Sequence, residues 1–238
     1  MIYGGNLRIG VLGGIGPEAT GEYYLKLIRG LQQTGPVRNN TDFPYIIVHS
    51  IPAPELVGKI TSEQLEPYKA GIREIDNAYV NAIVMVCNTI HLHHAELQKE
   101  TRAPIMNLRQ KVKEKLARDG VKKVAVIGTP STIKDGLYRF DGIDYVDLTS
   151  QEIDGLSSAI FKYNKGEDKR QQEGLVEDIA RRSLSKGAET VVLGCTEFAV
   201  MLKDADIPKI DTIDILVDGT IDFYRRMEAH RFAGRMSE

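Results

Sequence analysis

The fold is decided by an apolar stretch that ends in a cysteine, Ala82-Ile83-Val84-Met85-Val86-Cys87-Asn88-Thr89. The second half of the chain repeats this plan as Val191-Val192-Leu193-Gly194-Cys195-Thr196-Glu197. The chain has only these two cysteines. The pattern predicts two buried strands, each followed by a helix that begins at the cysteine. The positive end of a helix field favours a thiolate at such a position.

Strands and helices alternate along the rest of the chain. Further strands are predicted at 7–12, 45–48, 124–127 and 144–147, and helical spacing covers about 17–33, 61–79, 90–100, 107–119, 150–163, 169–186, 196–203 and 214–230. Strands joined by helices imply parallel sheets covered by helices. The sequence therefore predicts an α/β fold of two similar lobes, each a parallel sheet flanked by helices, related by a pseudo-two-fold axis.

We assign residues 1–106 together with 213–238 to a first lobe that carries Cys87, and residues 107–212 to a second lobe that carries Cys195. Ligands of parallel sheets lie beyond the carboxyl ends of the strands. Both cysteines lie at such ends. A single cleft between the lobes would therefore collect both sulfurs.

Composition narrows the class of protein. The chain has 238 residues, a net charge of −2 and 42% hydrophobic residues, so it can bury a core, and its scattered cations argue against nucleic-acid binding. No stretch has the apolar length of a membrane span, and the first residues lack the pattern of a signal peptide. Two cysteines do not make a disulfide framework, so we expect a reduced, cytoplasmic setting.

The paired cysteines suit proton transfer between the two faces of one carbon. Either cysteine alone is more often a core residue than a catalyst, but equivalent places in two halves favour a pair of facing acid/base thiols. Asn88, Thr89, Thr196 and Glu197 supply polar groups that can hold an α-carboxylate or support a thiolate. A nucleophilic pair of Cys87 with His91, as in thiol hydrolases, leaves Cys195 without a role.

The glycine turn Gly14-Ile15-Gly16-Pro17-Glu18-Ala19 matches a loose dinucleotide-binding pattern. The second strand ends without the carboxylate that would hold a ribose, and Pro17 removes an N–H from the helix start. Backbone N–H groups at Gly14 and Ile15 are therefore predicted to hold a substrate carboxylate instead.

Two further groups of polar residues have alternative interpretations. Thr129 and Thr132 open a predicted helix, where they act as an N-cap, as a second carboxylate grip, or as both. Cys87, His91, His93 and His94 do not have a common zinc spacing, so we expect no metal.

Three motifs together resemble the aspartate/glutamate racemase family. They are Gly10-Val11-Leu12-Gly13-Gly14-Ile15-Gly16-Pro17-Glu18-Ala19-Thr20, Cys87-Asn88-Thr89-Ile90-His91 and Gly194-Cys195-Thr196-Glu197. The resemblance covers both lobes. It implies a cofactor-independent amino-acid racemase with its active cleft between two similar lobes, and it implies a homodimer.

The resemblance also implies roles for individual residues. Cys87 and Cys195 match the two catalytic bases. The groups that hold the substrate carboxylate and amine are matched by Asn88, Thr89, Thr129, Thr132 and Thr196. Glu197 stands where aspartate racemase-like members are acidic, and Lys165 matches a lysine near the substrate.

One segment departs from the family pattern. Aspartate racemase-like members often carry Pro-Asp-Arg-Thr after the second strand, whereas this chain reads Pro54-Glu55-Leu56-Val57 with Lys59 close by. Leu56 supplies no charge, and a lysine is not a bidentate fork. A broader or different amino-acid substrate is therefore expected. The alternatives left open are a maleate isomerase or decarboxylase type of cysteine enzyme, and a non-catalytic protein that binds a small carboxylate.

Overall fold

The structure, a computed structural model, describes residues 7–34, 37–54, 56 and 60–235. Its strands are β1 (Arg8–Gly13), β2 (Tyr45–Ser50), β3 (Ala82–Met85), β4 (Lys123–Gly128), β5 (Asp144–Tyr145), β6 (Thr190–Gly194) and β7 (Lys209–Asp211). Its α-helices are α1 (Pro17–Thr34), α2 (Ser62–Asp76), α3 (His94–Leu97), α4 (Leu108–Arg118), α5 (Pro130–Lys134), α6 (Ser150–Asn164), α7 (Lys169–Ser185), α8 (Thr196–Met201) and α9 (Thr212–Arg235). Single 3₁₀ turns cover Asn40–Asp42, Thr89–His93 and Gln98–Glu100.

The strands form two sheets in which every pair is parallel. The first sheet has the order β2-β1-β3 and the second the order β5-β4-β6-β7. A parallel bridge between Ile83 and Ile105 extends the first sheet beyond β3, at the place that β7 takes in the second. The same order in both halves confirms the predicted α/β fold of two similar parallel-sheet lobes.

Helix α9 returns from the second sheet to the first lobe. The Tyr23 hydroxyl on α1 lies 2.8 Å from that of Thr220 on α9, and Lys26 pairs with Asp214 at 2.7 Å. Gly30 permits this approach, because a Cβ there would lie 2.5 Å from Ile221 Cδ1. The lobe boundaries at residues 106 and 212 stay predictions.

The core is continuous between the lobes. One buried cluster contains β1 residues such as Val11 together with β4 and β6 residues such as Ile127 and Val192. A second cluster packs on the other face of the first sheet and includes Cys87. Within the described residues, no helix is both long and apolar enough to cross a membrane.

The segment after Cys87 differs from the single helix predicted at 90–100. It is a 3₁₀ turn, one turn of α-helix at His94–Leu97 and a second 3₁₀ turn. The physical reason lies at its start, where the N–H groups of Thr89 and Ile90 turn towards the Cys87 sulfur. That tighter turn positions the residues of the candidate site.

Candidate active site

Cys87 lies at the carboxyl end of the first sheet. The N–H of Val86, the preceding residue, donates to the Leu12 carbonyl at 2.9 Å, so β1 fixes the point at which the chain leaves the sheet. Cys87 is a free thiol with 8% of its surface exposed. Burial raises its pKa to about 12, although N–H groups of Ile90 and Thr89 act in the opposite direction.

Cys195 lies at the matching end of the second sheet, as the N-cap of α8. It is also a free thiol and is 6% exposed. Its Sγ donates to Oε2 of Glu197 at 2.8 Å. Burial, the Glu197 carboxylate and the charge of Cys87 all hold the pKa of Cys195 well above its ordinary value.

The helix field acts on both sulfurs in the predicted direction, but burial outweighs it, so both thiols have raised pKa values. Backbone N–H groups do act on both sulfurs, and they do lower the two pKa values. Burial is the larger effect at each cysteine, because a charged sulfur loses more hydration than a few N–H groups restore. The two thiols nevertheless lie close enough for the charge of one to raise the pKa of the other.

Three threonine hydroxyls meet between the lobes. Thr89 Oγ1 lies 2.9 Å from Thr129 Oγ1 and 3.1 Å from Thr132 Oγ1, and the last two are 3.1 Å apart. The Thr129 hydroxyl also accepts from the Thr132 N–H at 3.1 Å, as predicted for an N-cap. The structure thus brings together residues that are 40 and 43 positions apart in sequence. Such a cluster can turn its protons towards a carboxylate.

Glu197 lies in a buried setting that both lobes build. Thr196 Oγ1 donates to its Oε2 at 3.3 Å, and Asn164 Nδ2 donates to its Oε1 at 3.4 Å. Gly16 of the first lobe makes room for the carboxylate, since a Cβ there would lie 2.6 Å from Oε1. Lys165 is exposed at the C-cap of α6, and the side chain that contacts Glu197 from this segment is that of Asn164.

The glycine turn is shaped as the sequence predicts. Gly14 has a φ of +88°, and a Cβ there would lie 2.5 Å from the Ile51 carbonyl oxygen. Its N–H donates to Thr20 Oγ1 at 3.0 Å, a bond inside the turn itself. Ile15 is half-buried and packs against the apolar cluster that includes Cys87. A substrate-binding role for Gly14 and Ile15 stays a prediction.

Tyr138 is the residue of this site that sequence reasoning missed. It is buried, and its hydroxyl donates to Oδ1 of Asn88, while Asn88 Nδ2 donates to Thr212 Oγ1 at 3.0 Å. Burial raises the pKa of Tyr138, and so do the charges of Cys87 and Cys195. No spacing in the sequence links Tyr138 to either cysteine, because the contact crosses from one lobe to the other.

His91 is not hydrogen-bonded to Cys87, as the thiol-hydrolase alternative would require. Its Nε2 lies 3.4 Å from the Met85 carbonyl oxygen, and its ring stacks on that of His94 with centroids 6.1 Å apart. Burial is the main reason that the pKa of His91 is lowered to about 3, and the charge of His94 acts in the same direction. In the part of the chain that the structure describes, no three or more His, Cys, Asp or Glu residues are grouped as a metal site.

The segment that departs from the family pattern is described only at Leu56. Leu56 is buried in the apolar cluster that contains Cys87 and Ile51. Glu55, Val57 and Lys59 lie outside the described residues. What the structure gives here is an apolar side chain where the resemblance would place an arginine.

Comparison with known proteins agrees with this geometry. The model of the Asp/Glu/hydantoin racemase family matches residues 12–220. The chain belongs to this family. Membership confirms the resemblance seen in the cysteine motifs and the predicted enzyme class, an isomerase.

Individual members are similar over nearly the whole chain. The broad specificity amino-acid racemase RacX of Bacillus subtilis is 25% identical over 227 residues, which cover 91% of this chain and 97% of that protein. An aspartate racemase homologue from Pyrococcus horikoshii has a TM-score of 0.70 and 27% identity and covers 92% of this chain and 99% of its own. The aspartate racemase of Picrophilus torridus, at 22% identity and a TM-score of 0.76 (92% of this chain, 94% of that one), shares the fold.

Proposed function

We propose that this protein racemises an amino acid without a cofactor, using Cys87 and Cys195 as the two acid/base groups. The observation that carries the proposal is the placement of two thiols at equivalent ends of two sheets, within electrostatic reach of one another. A racemase needs one group on each face of the reacting carbon. Racemase family membership supports the same reaction.

The proton inventory of the site suits this reaction. At rest, two thiols and one carboxylate hold two protons between them. The Cys195 proton passes to Glu197 along their 2.8 Å hydrogen bond, and the thiolate then removes the α-proton of the substrate. Cys87 gives its proton to the opposite face and becomes the thiolate, which Glu197 or solvent later reprotonates. The roles reverse for the other enantiomer.

The carbanion is the costly intermediate, and the threonine cluster is placed to offset that cost. Hydroxyls of Thr89, Thr129 and Thr132 lie together in a buried site, where hydrogen bonds to a developing charge are stronger than in water. Both lobes contribute to the cluster, so closure of the lobes on a carboxylate would complete it. Asn88 and Thr196 remain proposed contacts of the substrate.

The substrate is proposed to be broader than aspartate. Leu56 is apolar and buried beside the cluster of Cys87, so this side chain gives no charge to a side-chain carboxylate. A broad specificity racemase is among the relatives similar over the whole chain. Aspartate, glutamate and neutral amino acids are therefore all candidates.

The decisive experiment incubates the protein with a panel of single-enantiomer amino acids in deuterated water. Chiral chromatography with mass spectrometry should show inversion with one α-deuterium gained from either enantiomer of the substrate. Cys87→Ala and Cys195→Ala proteins serve as controls that should not invert the substrate. Inversion with retained protium contradicts exchange at the thiols. A trapped adduct on Cys87 alone favours the isomerase or decarboxylase alternative, and tight binding without exchange favours a carboxylate-binding protein.

The predicted homodimer and cytoplasmic location are also proposals. Size-exclusion chromatography with light scattering tests the first, and fractionation of the source cells tests the second.

A further inference from the structure

A chain of buried hydrogen bonds crosses between the lobes beside the cysteines. It runs from the Tyr138 hydroxyl to Asn88 Oδ1, from Asn88 Nδ2 to Thr212 Oγ1 at 3.0 Å, and from Thr212 Oγ1 to the Leu193 carbonyl oxygen at 2.8 Å. The side chains of Tyr138, Asn88 and Thr212 are each at most 1% exposed. Protein atoms rather than bulk water therefore fix the protons of this chain.

The direction of every bond in this chain follows from its last acceptor. The Leu193 carbonyl only accepts, so the single hydroxyl proton of Thr212 must point to it. The Thr212 oxygen then accepts from Asn88, which fixes Nδ2 towards Thr212 and Oδ1 towards Tyr138. Because an amide oxygen only accepts, the Tyr138 hydroxyl must donate its proton to Asn88. A reversed Asn88 amide would require a second proton on Thr212.

Tyr138 therefore has its proton committed away from the reacting groups and keeps its oxygen lone pairs for them. We propose that the Asn88–Thr212–Leu193 chain holds Tyr138 as a hydrogen-bond acceptor beside Cys87, and that this oxygen receives the α-ammonium of the substrate. The second half of the proposal rests on the proposed racemase function. The first half depends on the hydrogen bonds described above and on the position of Asn88 directly after Cys87.

An acceptor in this place has a definite effect on the chemistry. It stabilises the protonated thiol of Cys87, which is free to donate to it because the Cys195 thiol already donates to Glu197, and it disfavours a Cys87 thiolate. It attracts an ammonium group, which donates N–H bonds and carries positive charge. Before substrate binds, the Tyr138 oxygen opposes ionisation of the thiol. Once the substrate ammonium binds to that oxygen, its positive charge favours ionisation.

The test measures the apparent pKa of each thiol without any substrate. Iodoacetamide labelling across a pH series, with the two cysteine peptides quantified by mass spectrometry, gives one curve for Cys87 and one for Cys195. In Tyr138→Phe the acceptor is gone, and we expect the pKa of at least one thiol to fall by roughly 0.5–1 unit. A hydroxyl that donated to a thiolate would give the opposite sign, a higher thiol pKa in the variant.

Thr212 provides a matched pair that does not alter Tyr138. Thr212→Val removes the group that orients the chain and frees Asn88 and Tyr138 to turn, so a Tyr138 proton can reach sulfur and the thiol pKa should fall. Thr212→Ser keeps the hydroxyl and should leave both curves at their wild-type positions. If circular dichroism shows that Tyr138→Phe does not fold, these two variants test the assignment of Tyr138 as an acceptor.

Thiol pKa values that rise or stay unchanged in Tyr138→Phe, or that stay unchanged in Thr212→Val, overturn the acceptor assignment. For an amino acid identified by the panel, Tyr138→Phe should raise KM roughly tenfold or more with a smaller change in kcat, since a charge-assisted hydrogen bond is lost. An unchanged KM overturns the ammonium assignment. Failure of racemisation itself leaves the thiol titration readable, so the two proposals fail separately.

Discussion

The Cys87 end and the Cys195 end of the site have the same scaffold and different surroundings. Both cysteines follow a parallel strand, β3 or β6, which pairs with the first strand of its lobe. Cys195 has the Glu197 carboxylate at 2.8 Å, whereas the bonds that act on the pKa of Cys87 come from backbone N–H groups of Ile90 and Thr89. Repetition of a fold thus supplied two equivalent positions, and the residues after each cysteine made them chemically unequal.

The largest expected effect tests whether the two ends act on opposite faces of one carbon. Cys87→Ala and Cys195→Ala should each lower racemisation by roughly 10³-fold or more, because a two-base reaction loses one of its proton carriers. In deuterated water each variant should still exchange the α-proton of one enantiomer, and the two variants should exchange opposite enantiomers. Chiral analysis with mass spectrometry measures both quantities. Exchange of the same enantiomer by both variants would place the sulfurs on one face.

Glu197→Gln tests the carboxylate that distinguishes the Cys195 end. Removal of the proton acceptor should lower kcat/KM by roughly 10²-fold. The loss must be equal in the two directions, because the equilibrium constant of a racemisation is one. The difference between the ends should appear in the thiols instead. The variant removes a negative charge that raises the pKa of Cys195 foremost, so Cys195 should be alkylated faster at neutral pH, with a smaller change at Cys87.

Equal acceleration of both cysteines in Glu197→Gln would show that the carboxylate serves the two ends alike. Glu197→Asp is the matched control, since it keeps the charge and shortens the reach. It should restore the slow alkylation of Cys195 while recovering only part of the activity.

The two ends also differ in how much of them could be predicted from the sequence. The strands, the cysteines and the threonines of the N-cap follow from local pattern, because an apolar run, a cap residue and a glycine turn each act within a few positions. Tyr138 could not be found this way, since its partner Asn88 is 50 positions away on the other lobe. The sign of the thiol pKa shifts was also out of reach. It depends on how completely the two lobes exclude water.

The role of Lys165 near the substrate stays a prediction, and the end of α6 shows why a motif match does not place its side chain. The resemblance points to Lys165, whereas the side chain from this segment that bonds to Glu197 is that of Asn164; both residues are exposed. Helix ends are where neighbouring residues point in very different directions. A motif match at a helix end therefore locates the segment more reliably than it predicts which side chain makes a contact.

The pH dependence of stability tests a further difference between the two ends, the buried His91 close to Cys87 in the chain. Burial lowers the pKa of His91 from its ordinary 6.5 to about 3, so the folded state holds it neutral while the unfolded chain takes up a proton. Its contribution to stability is complete above pH 6.5 and is lost as the pH falls towards 3, amounting to about 2 kcal/mol between pH 6.5 and 5. Chemical denaturation at several pH values measures this slope.

His91→Gln is the matched variant for this pH dependence, because it keeps a donor for the Met85 carbonyl and does not titrate. The difference in unfolding free energy between wild type and variant should change by about 2 kcal/mol over the same pH interval. Carboxylates with lowered pKa values contribute equally to both proteins and cancel. A difference that is independent of pH would show that His91 does not titrate on unfolding.

Thr89→Val tests the hydroxyl that the Cys87 end contributes to the threonine cluster. The variant removes one donor from the proposed carboxylate site and leaves the shape of the side chain, so KM for the identified substrate should rise roughly tenfold. Thr89→Ser keeps the hydroxyl and should remain within about twofold of wild type. Steady-state kinetics measure both. A larger rise of KM in Thr89→Ser than in Thr89→Val would assign the role of Thr89 to its methyl group and not to its hydroxyl.

The smallest expected effect concerns a surface contact beside the Cys195 end. Glu18, at the start of α1, pairs with Lys169 at the start of α7, and the Lys169 ammonium lies 4.3 Å from the centroid of the Tyr163 ring. The contact joins the first lobe to the α6–α7 segment that also carries Asn164. Because an exposed pair of this kind contributes less than about 1 kcal/mol, Lys169→Met should change stability little. It should increase the alkylation rate of Cys195 by a few-fold and leave that of Cys87 unchanged, since Asn164 of the same segment bonds to Glu197 of the Cys195 end.

A series of ionic strengths tests the same contact independently. Added salt screens an exposed ion pair, so the wild-type alkylation rate of Cys195 should approach that of Lys169→Met as ionic strength rises, while the variant itself changes little. Glu18→Gln should behave like Lys169→Met, and the double variant should add nothing further, because both changes remove one interaction. Additive effects of the two substitutions would mean that Glu18 and Lys169 act on the Cys195 end through separate contacts. An equal increase in the alkylation rate of Cys87 would mean that the pair stabilises the whole cleft and not one end of it.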